Sequence, residues 1–307
     1  MSLSPLHTRI IPDLKDIVAQ AGVLVNALPY MQAYRDKTVL IKFGGSAMDN
    51  PELVRNLMRD IVVMEAMGLN PVVVHGGGKA ISKQMADAGL EAKFVNGLRV
   101  TTKEAIDIVE RTLSGSINPG LVDMLRDAGG KGVGIPGTEV FVGERIRERD
   151  GEGNAVDIGE VGRVIGCLLP RIEEALSLEI TPVISPLAKE LGTHHALNVN
   201  ADLAAAALAR ELKPVKLVYI SDVPGIMRDP SDPSSIIQSI DRKQALRLIE
   251  DGVVSGGMIP KVKSAVDALN AGVRKVHFID GRLPHTLLLE IFTTEGIGTE
   301  IIREQRG

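Results

Sequence analysis

The sequence predicts an α/β fold, a predominantly parallel sheet covered by helices, and three observations carry the prediction. Short apolar runs rich in Val and Ile alternate with helix-period segments from residue 38 onward. Hydrophobic residues form 44% of the 307-residue chain, yet aromatics form only 3% and Trp is absent. Val, Ile, Leu and Ala must therefore fill the core, as in sheets buried on both faces. Two of the apolar runs end in glycine turns followed by helical patterns. In that arrangement backbone N–H groups and a helix N-terminus can face an anion.

The elements follow in order. Ile10, Ile11, Leu14, Ile17, Val18, Ala21, Leu24, Val25 and Leu28 recur at three- and four-residue steps, with Asp13, Lys15 and Asp16 opposite. This is an amphipathic helix, not a signal peptide. Pro12 falls in its first turn and Pro29 marks its end. The helix either packs on its own domain or reaches another subunit. Thr38–Phe43 reads as a strand and Pro51–Met67 as a helix, with Asn50 at its N-cap and Gly68 just past its end. Pro71–Val74 is a strand and Lys79–Ala88 a helix. Thr102–Leu113 and Ile117–Ala128 have helical period, and the Gly-rich, charged stretch from Gly129 to Gly166 reads as a β-hairpin region. Ile172–Leu178 is helical, Thr181–Ser185 a strand, and Ala201–Leu212 an alanine-rich helix ended by Pro214. Val215–Ile220 is a strand running into the turn Ser221-Asp222-Val223-Pro224-Gly225, and Asp229–Ser235 is a surface loop. Helices Arg242–Asp251 and Lys261–Ala271 and strand Val276–Ile279 complete the pattern. The best internal boundary lies near Lys213–Pro214, giving two lobes on one sheet with ligands at the carboxyl ends of its strands.

Composition removes several functional classes. A net charge of −4 offers no basic face for nucleic acid. No apolar run approaches the ~20 residues a bilayer requires, so no membrane span is expected. The single Cys167 excludes a disulfide framework within the chain and fits a reducing cytoplasm. His194-His195 lack a third ligand, which makes a metal site there weak. Neither glycine turn matches a P-loop or a dinucleotide fingerprint.

What remains points to chemistry on a phosphate. Lys42 ends an apolar strand, where its ammonium is either met by an anion or extended into solvent. Lys261 lies in the first turn of a helix, where the macrodipole disfavours a cation unless a phosphate sits beside it. Lys263 competes with Lys261 on the same segment. Asp202, in the first turn of its helix, suits the dipole there. Asn198 and Asn200 are two residues apart, so on an extended segment both face one way. Three consecutive glycines, Gly76 to Gly78, imply a close approach of backbone to another strand or to a ligand. His75, at a strand end before them, reads as a structural hydrogen-bonding residue.

Six motifs together resemble the amino-acid kinase family, and within it the N-acetyl-L-glutamate kinases. They are Lys42-Phe43-Gly44-Gly45, Val74-His75-Gly76-Gly77-Gly78, Asn96-Gly97-Leu98-Arg99-Val100-Thr101, Asn198-Val199-Asn200-Ala201-Asp202, Ser221-Asp222-Val223-Pro224-Gly225 and Gly256-Gly257-Met258-Ile259-Pro260-Lys261. The resemblance runs from about Thr38 to Ile302. It implies a three-layer αβα sandwich around a mainly parallel sheet, with an N-terminal helical extension over residues 1–35, an acetylglutamate lobe over 36–213 and an ATP lobe over 214–307. It implies Lys42 and Lys261 as transition-state stabilisers oriented by Asp202. Gly77, Gly78, Arg99, Asn198 and Asn200 would hold N-acetyl-L-glutamate, with Arg99 on its α-carboxylate. Gly44, Gly45, Ser221, Asp222 and Gly225 would contact ATP and its phosphates, with Mg²⁺ arriving on the nucleotide and no side-chain metal cluster.

The N-terminal helix and the segment Glu290–Thr299 are similar to those of the arginine-inhibited hexameric members, trimers of dimers. That likeness implies an arginine site near Tyr30, His277, Glu290 and Gly296. The chain departs from the family pattern at Lys79-Ala80, where Pro-Gln is usual, and at Pro119, where Lys is usual. Two other readings compete: a family member acting on a homologous acceptor such as an aminoadipate derivative, and a catalytically silent arginine sensor. Intact Lys42, Asp202 and Lys261 argue against the second.

Overall fold

The computed structural model describes residues 14–149, 153–229, 231–293 and 296–304. Helix α1 (Leu14–Tyr34) leads into β1 (Thr38–Phe43), a 3-10 turn (Gly45–Asp49), α2 (Pro51–Ala66), β2 (Asn70–His75) and α3 (Gly78–Asp87). A small hairpin, β3 (Phe94–Val95) and β4 (Leu98–Arg99), precedes α4 (Lys103–Thr112), a π-helical turn (Leu113–Ile117), α5 (Asn118–Asp127) and β5 (Gly132–Ile135). There follow β6 (Phe141–Arg145), β7 (Glu148–Arg149), β8 (Ala155–Val156), β9 (Gly162–Cys167), α6 (Pro170–Ser177), β10 (Thr181–Ile184), β11 (Leu187–Glu190), β12 (Ala196–Asn198) and α7 (Ala201–Leu212). The last part holds β13 (Lys216–Ser221), β14 (Ser239–Asp241), α8 (Arg242–Glu250), α9 (Met258–Asn270), β15 (Lys275–Asp280), α10 (Thr286–Phe292) and β16 (Thr299–Ile302).

Eight strands form the central sheet in the order β14-β16-β15-β13-β1-β2-β10-β5. All its pairings are parallel except β15 with β16. Side chains alternate along each strand, and the two faces fill two cores. Leu40, Val72, Val74 and Tyr219 pack with α7 and α9, while Val39, Ile41, Phe43 and Val218 pack with α2, α5 and α10. This is the three-layer α/β arrangement the sequence implied. A second sheet, β12-β11-β6-β9, meets α7 through β9. Among the described residues no helix is long and apolar enough to cross a membrane.

Several boundaries differ from the sequence reading. Helix α1 runs through Pro29 to Tyr34 and does not end there. Its last turns are anchored by buried Ala27 and by Tyr30, Met31 and Tyr34 against the core, which offsets the hydrogen bond a proline removes. Upstream of that anchor the apolar stripe is open: Val18 is 62% and Val25 68% exposed. Residues Ile10 to Asp13 of the expected helix lie outside the described residues. The two helices over 102–128 are joined by the π turn without a break. The 129–166 hairpin exists as β6 with β9 and β7 with β8, but Gly132–Ile135 belongs to the central sheet as its edge. Its glycines disguised it, and packing requires them. A Cβ on Gly134 would lie 2.1 Å from Asn118 Oδ1. The sequence reading also lacked β11, β12, β14 and β16, each four residues or shorter.

The ring of Phe278 stacks on Tyr219 at 5.2 Å between centroids, and both side chains are fully buried. Phe278→Ala should cost about 3–5 kcal/mol, read as a lower urea midpoint with little change in slope.

Candidate active site

Strand alternation fixes the first residue of the site. Leu40 faces α7 and α9, so Lys42, two residues on, faces them too, at the carboxyl end of β1. Its Nζ lies 2.8 Å from Oδ1 of Asp202, the second residue of α7. The other carboxylate oxygen, Oδ2, accepts a hydrogen bond from Lys261 Nζ in the first turns of α9. Lys263 is exposed, so of the two lysines that spacing left open the fold brings Lys261 to Asp202. Below them the Tyr219 hydroxyl lies 3.0 Å from Ser264 Oγ and 3.3 Å from the Asp202 carbonyl oxygen, tying α7, α9 and β13 together.

Charge in this triad does not balance. Burial works to raise the Asp202 pKa, but the two ammonium groups overcome it and hold the carboxyl down at about 2. Burial pushes Lys42 down, opposed by Asp202 and reinforced by Lys261. Two cations share one anion at the mouth of two glycine turns. The surplus positive charge suits a further anion.

The turns are shaped around these groups. A Cβ on Gly44 would lie 2.5 Å from Lys42 Nζ, so any side chain there displaces the ammonium from Asp202. A Cβ on Gly76 would lie 3.2 Å from the Gly44 Cα, and the Gly76 N–H donates to Phe43 O at 2.7 Å. The two turns touch through backbone. Leu113 and Ile117 of the π turn press against Gly77. His75 is structural: its Nδ1 donates to Gly76 O at 2.7 Å, leaving Nε2 to accept from Asn118 Nδ2 at 3.2 Å. Burial pushes its pKa down to about 4, so the ring is neutral.

Lys42, Gly77, Gly78, Arg99, Asn198 and Asp202 all line one cavity of about 210 Å³. Arg99 stands on β4 beneath the ring of Phe94, 4.7 Å from its centroid. It donates to Gly78 O at 2.6 Å and to Ser82 Oγ at 2.8 Å. Asn200 also borders the cavity, but its Oδ1 caps α7 by accepting from the N–H groups of Asp202 and Leu203. Spacing alone had not revealed that cap.

A profile described as "Amino acid kinase family" matches residues 37–280. The chain belongs to the amino acid kinase family. The acetylglutamate kinase of Akkermansia muciniphila is 78% identical over 290 residues, covering 94% of this chain and 98% of the relative. That of Heliobacterium modesticaldum is 44% identical over 291 residues, covering 92% and 98%. Among solved structures, N-acetylglutamate synthase from Neisseria gonorrhoeae, complexed with coenzyme A and N-acetyl-glutamate, superposes with a TM-score of 0.81 at 24% identity, covering 93% of this chain and 64% of that one. Carbamate kinase from Giardia lamblia bound to AMP-PNP gives 0.64 at 16% identity, covering 88% and 99%. At those identities the likeness is one of fold.

The remaining residues that the sequence singled out fall into two groups in this amino acid kinase. Ser221, Asp222 and Gly225 follow the carboxyl end of β13. The buried Ser221 hydroxyl has no hydrogen-bond partner among the described residues, and Asp222 accepts from Ser46 Oγ at 3.3 Å beside Gly45. An unsatisfied buried hydroxyl fits a site that a polar ligand completes. Gly225 is explained by packing, since a Cβ there would lie 2.6 Å from Thr299 Oγ1.

The second group gathers away from the triad. His277 Nδ1 lies 2.5 Å from Glu290 Oε1, and a Cβ on Gly296 would lie 3.3 Å from Glu290 Oε2. Burial pushes His277 down. It also works to raise Glu290, but His277 and Lys216 hold that carboxyl below its usual value. Tyr34, at the end of α1, carries Lys216 Nζ 5.2 Å from its ring centroid, whereas Tyr30 packs against the apolar core. Lys216, Tyr34 and Glu300 were missed; Lys216 and Glu300 are polar residues at paired strand positions, opposite Lys275 and His277, whereas Tyr34 ends helix α1 and carried no such signal. Among the described residues no group of three or more His, Cys, Asp or Glu is arranged to hold a metal ion.

Asp202→Asn leaves the buried Lys42 ammonium and the partly buried Lys261 ammonium without their carboxylate and should cost about 3–5 kcal/mol of stability at neutral pH. Because the folded-state pKa is depressed to about 2 from 3.8, the Asp202 contribution is complete above pH 3.8 and fades as pH falls toward 2. Urea midpoints of parent and variant should therefore converge below about pH 4.

Proposed function

We propose that this chain transfers the γ-phosphoryl group of ATP to the side-chain carboxylate of N-acetyl-L-glutamate, giving N-acetyl-L-glutamyl 5-phosphate in arginine biosynthesis. Its curated relatives, matched over nearly their whole length, are named acetylglutamate kinases. The observation that carries the mechanism is the pair of ammonium groups on one buried carboxylate. The acceptor carboxylate is already ionised at neutral pH, so the reaction needs no general base, and His75 has both ring nitrogens engaged. The difficulty is the approach of an anion to a polyanion, which positioning and charge neutralisation overcome.

In this reading Lys42 and Lys261 neutralise charge on the transferring group, and Asp202 keeps them a fixed distance apart. Backbone N–H groups of Gly44 and Gly45 meet the phosphates. Ser221, Asp222 and Gly225 border the nucleotide, whose lobe spans residues 214–307. Mg²⁺ would arrive on ATP rather than on a side-chain cluster, and would supply charge neutralisation at the phosphates. Arg99, Gly77, Gly78, Asn198 and Asn200 hold the acceptor in the lobe of residues 36–213, Arg99 forking onto the α-carboxylate. Regulation belongs to the same reading: arginine inhibits, acting near Tyr30, His277, Glu290 and Gly296. The open apolar stripe of α1 supports burial against a partner, joining dimers into a hexamer.

ATP consumption with acetylglutamate as acceptor tests the reaction directly. Lys42→Ala and Lys261→Ala should each lower kcat by about 10²–10³, while Lys263→Ala stays near the parent. A dead Lys263→Ala beside an active Lys261→Ala would reverse the assignment.

Removing residues 1–30 tests assembly and regulation together. The shortened chain should be dimeric by light scattering, remain active, and respond much less to arginine. A truncated chain that stays hexameric and fully inhibited would reduce α1 to local packing.

A further inference from the structure

Thr101 closes the sequence motif that contains Arg99, yet the mechanism gives it no task. It is fully buried, and its hydroxyl stands between two acceptor-side residues far apart in sequence. Oγ1 lies 3.0 Å from the Arg99 carbonyl oxygen and 3.0 Å from Asn198 Nδ2. A carbonyl oxygen only accepts, so the single hydroxyl hydrogen is committed to Arg99. Oγ1 must then accept from Asn198, and this fixes which end of the Asn198 amide points at Thr101. The amide keeps Oδ1 and its second N–H hydrogen for whatever enters the cavity it lines. An acceptor beside a donor matches a substrate carrying an N–H next to an oxygen acceptor, as an N-acylated amino acid does.

The backbone around Thr101 is held equally firmly. The Glu160 N–H donates to Thr101 O at 2.6 Å, and the Asn198 N–H donates to Glu160 O at 2.9 Å. The buried Glu160 carboxylate takes two hydrogen bonds from Arg145, at 2.7 and 2.5 Å. Arg145 in turn reaches Glu190 at 3.2 Å. One hydroxyl thus joins the β4 strand end to the β12 strand end across a braced scaffold.

We propose that Thr101 is a positioning residue for the acceptor, its hydroxyl orienting the Asn198 amide and fixing the Arg99 main chain to which that amide is linked. This rests on the reading of the cavity as the acetylglutamate site. Thr101→Val keeps the volume, removes the hydroxyl and leaves the Asn198 donor unsatisfied. Steady-state kinetics on the full chain should show KM for acetylglutamate raised about tenfold, KM for ATP within about twofold, and recovery in Thr101→Ser. In an Asn198→Ala background the valine change should add less than about twofold, because the group it orients is gone. An unchanged KM for acetylglutamate, equal rises in both KM values, or an undiminished effect on top of Asn198→Ala overturns the proposal. If the valine variant does not fold, Thr101→Ser against Thr101→Ala makes the same comparison.

A readout independent of turnover separates this inference from the functional reading. With ¹⁵N-labelled asparagine, the Asn198 side-chain NH₂ should exchange slowly in the parent and in Thr101→Ser, and rapidly once the hydroxyl is removed. Slow exchange that survives Thr101→Val refutes the role of the hydroxyl. A parent that does not phosphorylate acetylglutamate refutes the substrate and leaves this measurement standing.

Discussion

Holding two lysine ammonium groups against one buried carboxylate demands that three separate segments arrive together, and most of the architecture serves that demand. Lys42 comes from one of the two central strands of the sheet, Asp202 from the start of α7, and Lys261 from the start of α9. Burial opposes the charged forms of Lys42 and Asp202, and their pairing with each other offsets it. The stacked ring pair and the Tyr219 hydroxyl lie directly beneath and keep the two helix starts from drifting apart. Phosphoryl transfer profits from charges that are already in place, because little reorganisation is left for the moment of reaction.

The glycine turns follow from the same demand. With Lys42 drawn onto Asp202, the backbone of the next turn must pass within contact of the ammonium, and only Gly44 permits it. Gly76 then lies against Gly44, and the π turn supplies Leu113 and Ile117 as the floor under Gly77. Such turns are frequent where a helix is locally rewound to serve a site. Here the rewinding joins α4 to α5 without interrupting either.

Much of this was legible in the sequence because the signals were local. Strand runs ending in glycine, the Asn50 cap and the alanine-rich α7 each announce themselves within a few residues. The triad's two lysines were legible as cations in unfavourable places, and Asp202 as an acid at a helix start. Lys261 and Lys263 stayed unresolved because only tertiary packing decides which faces Asp202. The edge strand β5 was hidden because its glycines answer to Asn118 and Leu125 on a neighbouring helix. The continuation of α1 past Pro29 was hidden because long-range burial, not local propensity, sustains it. Thr101 gave a motif but no task, since its partners are set by chain crossings that spacing does not encode.

The strand order also bears on how the chain comes to be folded. β1 has β2 on one side, its near neighbour in sequence, but on the other side it has β13, with Ile41 opposite Val218. Until that distant strand leaves the ribosome, β1 presents an unpaired apolar edge. Such edges are sticky, and parallel pairings between remote segments form slowly. A polypeptide interrupted before residue 216 retains the acceptor-side turns but lacks the strand that seals them. During synthesis that edge stays open for as long as elongation takes to reach residue 216, the condition in which unpaired strand edges are most prone to pair with the wrong chain.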